Sequence, residues 1–329
     1  MKQPTIYDVA RLAGVSHQTV TRYLHGFEGI RPATKMRVEA ALEELEYRPN
    51  AAARDLRSQR NNRLGVLAHG LDQPGPARVI AGATAAARNR GYVLDIVSMD
   101  GDDTTSVDEA LSVVTEHQIA GILATAQTDA ILETLQSRTM GVPIVIDVKV
   151  TSSGDTEGIN ERSGMMAAQH LIDLGHRRIG YVSGPMSWFA AQSRMTGFDA
   201  VVSAHGGEVV WRRSGDWSPD SGQAAWSSLS EEERGVTAIA AANDNMAIGV
   251  MSAAVRGGWN VPGDLSVVGT DDIPVARFLL PSLSTVALDF ESEGRYLVDT
   301  LIARITRDAE FASSVTAPQL TPRESTRAI

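Results

Sequence analysis

Seven short apolar runs constrain this chain more than any other feature. "RLGVLAHG", "YVLDIVSMD", "IAGILATA", "PIVIDVK", "RIGYVSGP", "TAIAAAND" and "LSVVGTDD" recur between Arg63 and Asp272, with helical patterns such as Ala77–Arg90, Arg162–Leu174 and Asn245–Gly257 between them. Strands that are apolar throughout must be covered on both faces, and intervening helices supply that cover. Strand–helix alternation of this kind builds parallel sheets. The length of the region suits two doubly wound sheets better than one.

The first sixty residues have a different texture. Ile6, Val9, Ala10 and Ala13 share one helical face, and Thr5 with Asp8 three residues later makes a start cap. Gly14 permits a turn without a Cβ penalty, and Ser16 caps a second helix whose Val20 and Leu24, with Val15, point back to the first. A third helix starting at Pro32 buries Val38, Ala41, Leu42 and Leu45. The second helix, "GVSHQTVTRYL", leaves His17, Gln18, Thr21 and Arg22 facing outward. A helix, a glycine turn and a polar-faced helix are the parts of a major-groove reader, although a purely structural three-helix bundle would share them.

Charge is distributed unevenly. Residues 1–60 carry ten Lys/Arg against seven Asp/Glu, a net +3, whereas the whole chain is at −10 and the remainder therefore at −13. An acidic body with a basic end suggests that only the end meets a polyanion. Next comes "PNAAARDLRSQR", in which Asn50 can cap a helix of Ala51 to Arg57. A helix that short is unstable alone in water and orders only with a partner's support.

Several functions lack their residues. The absence of cysteine excludes disulfides, thiolate metal sites and thiol catalysis. No apolar run reaches bilayer length, and "MKQPTIYDVARLAG" has no secretory-signal pattern, so a cytoplasmic protein without a membrane partner is expected. No G-x-G-x-x-G follows a strand, and neither a Walker A loop nor a G-x-S-x-G elbow occurs, so neither an enzyme nor a cofactor is expected. His170 and His176 do not share a helical face, which argues against a metal site.

Taken in order, "TIYDVARLAGVSHQTVTRYL", "LEYRPNAAARDLRS", "ANDNMAIGVMSA" and "SVVGTDD" resemble the lactose/galactose repressor (LacI/GalR) family over essentially the whole chain. The resemblance implies a helix-turn-helix domain over 1–49, a hinge-helix linker over 50–61, and an effector-binding and dimerisation domain over 62–329. That last domain would be periplasmic-binding-protein-like, with an N-subdomain of 62–160 and 291–321 and a C-subdomain of 161–290. The implied function is a repressor that binds double-stranded palindromic operator DNA as a homodimer. A carbohydrate effector, a galactoside or other disaccharide or glycoside, would release it. Rival expectations are a purine corepressor in place of the sugar, or a solute-binding protein that shares only the body.

The resemblance also assigns roles. His17, Gln18 and Arg22 match base-reading positions, and Arg or Gln can pair bidentately with guanine or adenine edges, each worth ~1–3 kcal/mol of discrimination. Thr5, Tyr7, Ser16, Thr19 and Asn50 suit phosphate contacts, which set position rather than sequence. Leu56 matches a minor-groove wedge that unstacks a base step. In the body, Asp147, Asn243 and Asp271 each follow an apolar run, which puts them at the cleft beyond the strands' carboxyl ends. With the forked donors of Arg194 and the rings of Trp217 and Phe290, they match effector-contacting positions. His69, also expected at the effector site, departs from the pattern of the most similar branch, as do Gln73, Thr125 and Leu288. Helices in Arg78–Arg90 and Gly164–Leu174 are expected to face a second subunit. The tail, with two prolines and no heptads, is expected to form no tetramer helix.

Overall fold

Thr5 starts α1 (Ile6–Ala13) against Asp8: its backbone N–H donates to Asp8 Oδ2 at 2.9 Å and its hydroxyl donates to the same oxygen at 2.6 Å. Gly14 ends the helix at φ 62°, in the left-handed region, and its N–H reaches the Arg11 carbonyl. Ser16 opens α2 (His17–Leu24) by accepting from the Thr19 N–H at 3.2 Å. α3 (Pro32–Glu44) begins on proline as expected. Val9, Ala10, Ala13, Val20, Val38 and Ala41 form the buried centre, with Leu42 and Leu45 half-buried around it.

This computed structural model describes residues 4–24, 27–47, 61–99, 104–116, 118–147, 158–308 and 314–329. The chain divides between Asn61 and Asn62 into two units. Asn50, Leu56 and nearly all of the expected linker lie outside the described residues.

The second unit holds two sheets. In the first lobe β1 (Arg63–His69), β2 (Val93–Met99), β3 (Gly121–Thr125) and β4 (Ile144–Asp147) lie parallel in the order β2-β1-β3-β4. The strand residues Leu64, Val66, Leu123 and Val145 face one core, with α4 (Pro74–Asn89); Leu67, Ile122 and Ala124 face the other, with α5 (Thr104–Thr115) and α6 (Asp129–Ser137). The second lobe has β5 (Arg178–Ser183), β6 (Glu208–Ser214), β7 (Ala238–Ala241), β8 (Ser266–Asp271), β9 (Ser284–Ala287) and β10 (Gln319–Thr321). Their order is β10-β9-β8-β7-β5-β6, all parallel except β10. Its helices are α7 (Ile159–Asp173), α8 (Phe189–Ala204), α9 (Pro219–Ser227) and α10 (Asp244–Arg256).

After β9 the chain returns to the first lobe as α11 (Phe290–Thr306), packed along α4. One expected boundary needs correction. Residues 319–321 do not belong to the first lobe, because β10 pairs antiparallel with β9 and so extends the second lobe's sheet. The last residues stay there too: Ser325 donates to the Val267 carbonyl at 2.6 Å, and His176 bonds Thr237 and the Arg327 carbonyl. Both conspicuous histidines serve this tail, since His170 Nε2 meets Thr326 Oγ1 at 2.9 Å.

The small residues on α4 and α7 have a use within the chain. A Cβ at Gly82 would lie 2.2 Å from the Glu291 carbonyl oxygen, and one at Gly164 would lie 1.9 Å from that of Arg194. These glycines let α11 approach α4, and α8 approach α7, backbone to backbone. Gly164→Ala is therefore expected to cost about 1–3 kcal/mol by overpacking and to displace Arg194. Gly141→Ala, with nothing near its Cβ, should be close to neutral. Denaturant titration of both variants followed by tryptophan fluorescence checks this, and equal midpoints would refute it.

Candidate functional site

On α2, Gln18 and Arg22 are exposed and one helical turn apart, so they extend from one face. His17 is half-buried, with its ring 5.2 Å from that of exposed Tyr7. The polar groups below this face are engaged locally. Thr21 Oγ1 donates to the His17 carbonyl at 2.9 Å, and Ser16 Oγ lies 3.0 Å from Thr19 Oγ1. Ser16 and Thr5 thus act first as helix caps. Gln18 and Arg22 carry the side chains whose donors reach outward, while the Arg22 guanidinium also lies 5.5 Å from the Phe27 ring centroid.

A single cavity between the two lobes gathers Asp147, Arg194, Trp217, Asn243, Asp271 and Phe290. Its free volume is about 60 Å³, well above the ~10–15 Å³ that a single water needs. Strand ends supply much of its wall. Thr125 closes β3 in register with Asp147 at the end of β4, and Asp271 ends β8. Asp271 holds φ at 109°, a conformation that costs a non-glycine residue ~1–3 kcal/mol. Two arginines hold it there. Arg78 Nη1 donates to its carbonyl at 3.2 Å, and Arg194 Nη1 lies 3.0 Å from its Oδ1. The latter is an ion pair whose angle leaves Oδ1 without a well-formed hydrogen bond.

Arg194 is the organising residue of the cavity. Its Nε donates to Asn160 Oδ1 at 3.0 Å, and Nη1 donates to the Ala242 carbonyl. Its guanidinium carbon lies 5.8 Å from the centroid of a Trp217 ring, and Trp188 meets the same indole edge-on at 5.7 Å. The Trp217 Nε1–H is buried without an acceptor, on a residue at φ 72°. Asn243 has a structural duty as well, since its Oδ1 caps α10 by accepting from the Met246 N–H at 2.9 Å and its Nδ2 donates to the Trp217 carbonyl at 3.0 Å. One acceptor lone pair and one donor hydrogen are left for the cavity.

One expectation is corrected here. His69 does not line this cavity: it ends β1 in an adjoining cleft with Asp72, Met99 and Asp216, its ring 4.6 Å from Trp188. Leu288, one of the departures from the family pattern, packs in the core. Conversely, Glu293, Trp188, Asn160 and Gln127 line the cavity without having been read from the sequence. Glu293 sits in the first turn of α11, where an acidic residue ordinarily answers the helix dipole at the surface.

Burial dominates the electrostatics. It pushes Asp147 up to about 6 and raises Asp271 despite the opposing pull of Arg194. Glu293 is raised well above the carboxylate range, first by burial and then by the Asp147 charge. The folded chain thus takes up a proton at Asp147 that the unfolded chain releases from about pH 4 upward. The penalty for ionising it is absent below that point, grows between pH 4 and 6, and is complete above. Asp147→Asn should therefore match the parent in melting temperature near pH 4 and exceed it by several degrees at pH 7.5. The comparison of variants cancels His170 and His176, whose burial lowers their pKa and acts oppositely. A constant difference across this range would contradict the burial of an unpaired charge.

Residues 5–50 match the bacterial regulatory proteins of the lacI family, and residues 168–326 match the periplasmic binding protein-like domain. The ribose operon repressor of Escherichia coli (strain K12) is 31% identical over 92% of this chain and 93% of its own length. The chain belongs to the lacI family. The HTH-type transcriptional repressor PurR of Edwardsiella ictaluri is also 31% identical, over 98% of this chain and 96% of its own. Among solved structures, the Lac repressor dimer bound to operator and the anti-inducer ONPF has a TM-score of 0.87 at 28% identity, covering 99% of this chain and 100% of that one. In this LacI-family transcriptional repressor, the polar face of α2 falls within the regulatory match. Arg194, Trp217, Asn243, Asp271, Phe290 and Glu293 fall within the binding-protein match, whereas Asp147 lies outside it. No helix among the described residues is long and apolar enough to cross a membrane.

Proposed function

We propose that this repressor binds a palindromic operator as a homodimer through α2, and that a carbohydrate held in the cleft between the lobes releases it. Gln18 and Arg22 would read base edges, with His17 beside them. Thr5, Tyr7, Ser16 and Thr19 would sit against phosphates at the starts of α1 and α2, where unpaired backbone N–H groups favour anions. The observation that carries the sugar reading is the cavity itself. Fixed amide, guanidinium and carboxylate groups from Asn243, Arg194, Asp271 and Asp147 converge beside the aromatic faces of Trp217, Trp188 and Phe290. Directional polar groups beside an apolar ring face suit a pyranose, which presents hydroxyls around its rim and C–H groups on its faces.

Release needs only a population shift. A ligand that prefers one arrangement of the lobes changes operator affinity by its differential affinity for the two states, typically ~1–3 kcal/mol. The Ala-rich segment after Asn50, too short to be helical unaided, is where such a shift would be felt, with Leu56 as its minor-groove wedge. The test is direct. DNA retained by the purified chain is sequenced, and its affinity is measured with hexoses, pentoses, disaccharides and nucleobases. Weakening by a sugar supports the reading; tightening by a nucleobase would identify a corepressor instead, and indifference to every ligand would remove the effector claim.

A further inference from the structure

Among the described residues, the charges lining the cleft do not balance. Asp147, Asp271 and Glu293 face one guanidinium, that of Arg194. Arg194 is committed to Asp271 at 3.0 Å. The nearby Arg78 is paired with Glu291 at 3.0 Å and bonded to the Asp271 carbonyl, so its charge acts on those two residues and not on Asp147 or Glu293. Asp244, buried behind the wall, is occupied by the Thr285 hydroxyl and the Ile273 N–H. Two carboxyl groups are left over. Asp147 and Glu293 are 7% and 5% exposed, and neither accepts a hydrogen bond from any described residue. They belong to different elements, the end of β4 and the first turn of α11, yet both line the cavity, and Glu293 feels the charge of Asp147.

Both side chains open on the cavity with no protein donor, which leaves their oxygens to whatever occupies it, and a ligand there can complete them. One shared proton would neutralise only one of the two. An ammonium group brings no more charge than that proton, but its three donors let it form short charge-assisted hydrogen bonds to both carboxyl groups at once. The buried Trp217 Nε1–H also has no acceptor among the described residues, on a residue that lines both this cavity and the adjoining cleft. A hydroxyl-bearing ligand supplies that acceptor, which a bare alkylamine lacks.

We propose that the effector is an amino sugar whose protonated nitrogen is held between Asp147 and Glu293, with its hydroxyls on the Arg194, Asn243 and Trp217 side. The inference rests on the carbohydrate reading above and narrows it.

Binding to the full-length chain can be followed by tryptophan fluorescence, because Trp188 and Trp217 line the cavity. The probes are glucosamine, galactosamine and mannosamine, their N-acetyl derivatives, the parent hexoses, and putrescine as an amine without a sugar. At least one free aminohexose should bind ten-fold or more tighter than its parent and its N-acetyl form. That preference should collapse in Glu293→Gln, which keeps the side chain's size but cannot ionise against the ammonium, and in Asp147→Asn. A parent hexose binding as tightly as its amine, with Glu293→Gln unchanged, overturns the inference and leaves the carbohydrate reading standing. Putrescine binding without any sugar binding overturns the carbohydrate reading, and with it the amino-sugar assignment, leaving only a cation site. Silence from the whole panel overturns both.

Discussion

Replacing Arg194 with Ala is expected to remove about 3–5 kcal/mol of stability from the second unit, the usual cost of breaking a buried ion pair from one side. Asp271 would be left buried without its counter-charge, in a backbone conformation that Arg194 and Arg78 help to hold. The Ala242 carbonyl and Asn160 would lose their donor at the same time. Against a typical total of ~5–15 kcal/mol, a loss of that size is large. All five tryptophans, at 188, 211, 217, 226 and 259, lie in this unit's second lobe, so fluorescence-detected urea unfolding reports on the affected region. Asp271→Asn made alone and together with Arg194→Ala completes a cycle, and the double variant should be less damaged than the two single losses added. A loss below about 0.5 kcal/mol would be that of an ordinary surface substitution and would mean that Arg194 does not organise the cavity.

The second large effect is on DNA. Arg22→Ala should leave α2 folded, since the side chain is exposed and the helix is anchored by Val20. A lost bidentate base contact costs ~1–3 kcal/mol, and two half-sites in a dimer would double that. Preference for recovered DNA over scrambled competitor should therefore fall by about 30-fold to 10⁴-fold, while weak salt-sensitive binding through phosphates persists. Gel competition at fixed ionic strength measures it. Unchanged preference would show that the outward face of α2 is not the reading surface.

Much of this architecture was legible because burial and periodicity agreed. The seven apolar runs are all strands, and the cap at Thr5, the turn at Gly14 and the start at Pro32 lie where local chemistry puts them. The strands β6, β9 and β10 escaped notice for a shared physical reason. β6 is an edge strand carrying Arg212 and Arg213, β10 is a three-residue edge between Pro318 and Pro322, and β9 has only four residues. None shows a sustained apolar pattern.

The cleft was legible where short polar residues follow strands, as Asp147, Asn243 and Asp271 do. His69 follows the same rule but lines the adjoining cleft between the same two lobes, because strand position fixes depth in the sheet and not which side of Trp188 the side chain takes. Glu293 was hidden more deeply. Helical patterning marks it as an ordinary first-turn acid, and only the return of α11 to the first lobe places it beside Asp147.

The coupling between cleft and DNA is open to one decisive measurement. The affinity of the full-length chain for its sugar is titrated by tryptophan fluorescence, with and without saturating operator, and operator affinity is titrated with and without sugar. Linkage requires the two ratios to be equal, and release by the ligand requires both to show weakening, by about 5- to 150-fold for a typical coupling. Sugar affinity that is identical on free and DNA-bound protein would mean that the cleft and the reading helix do not communicate.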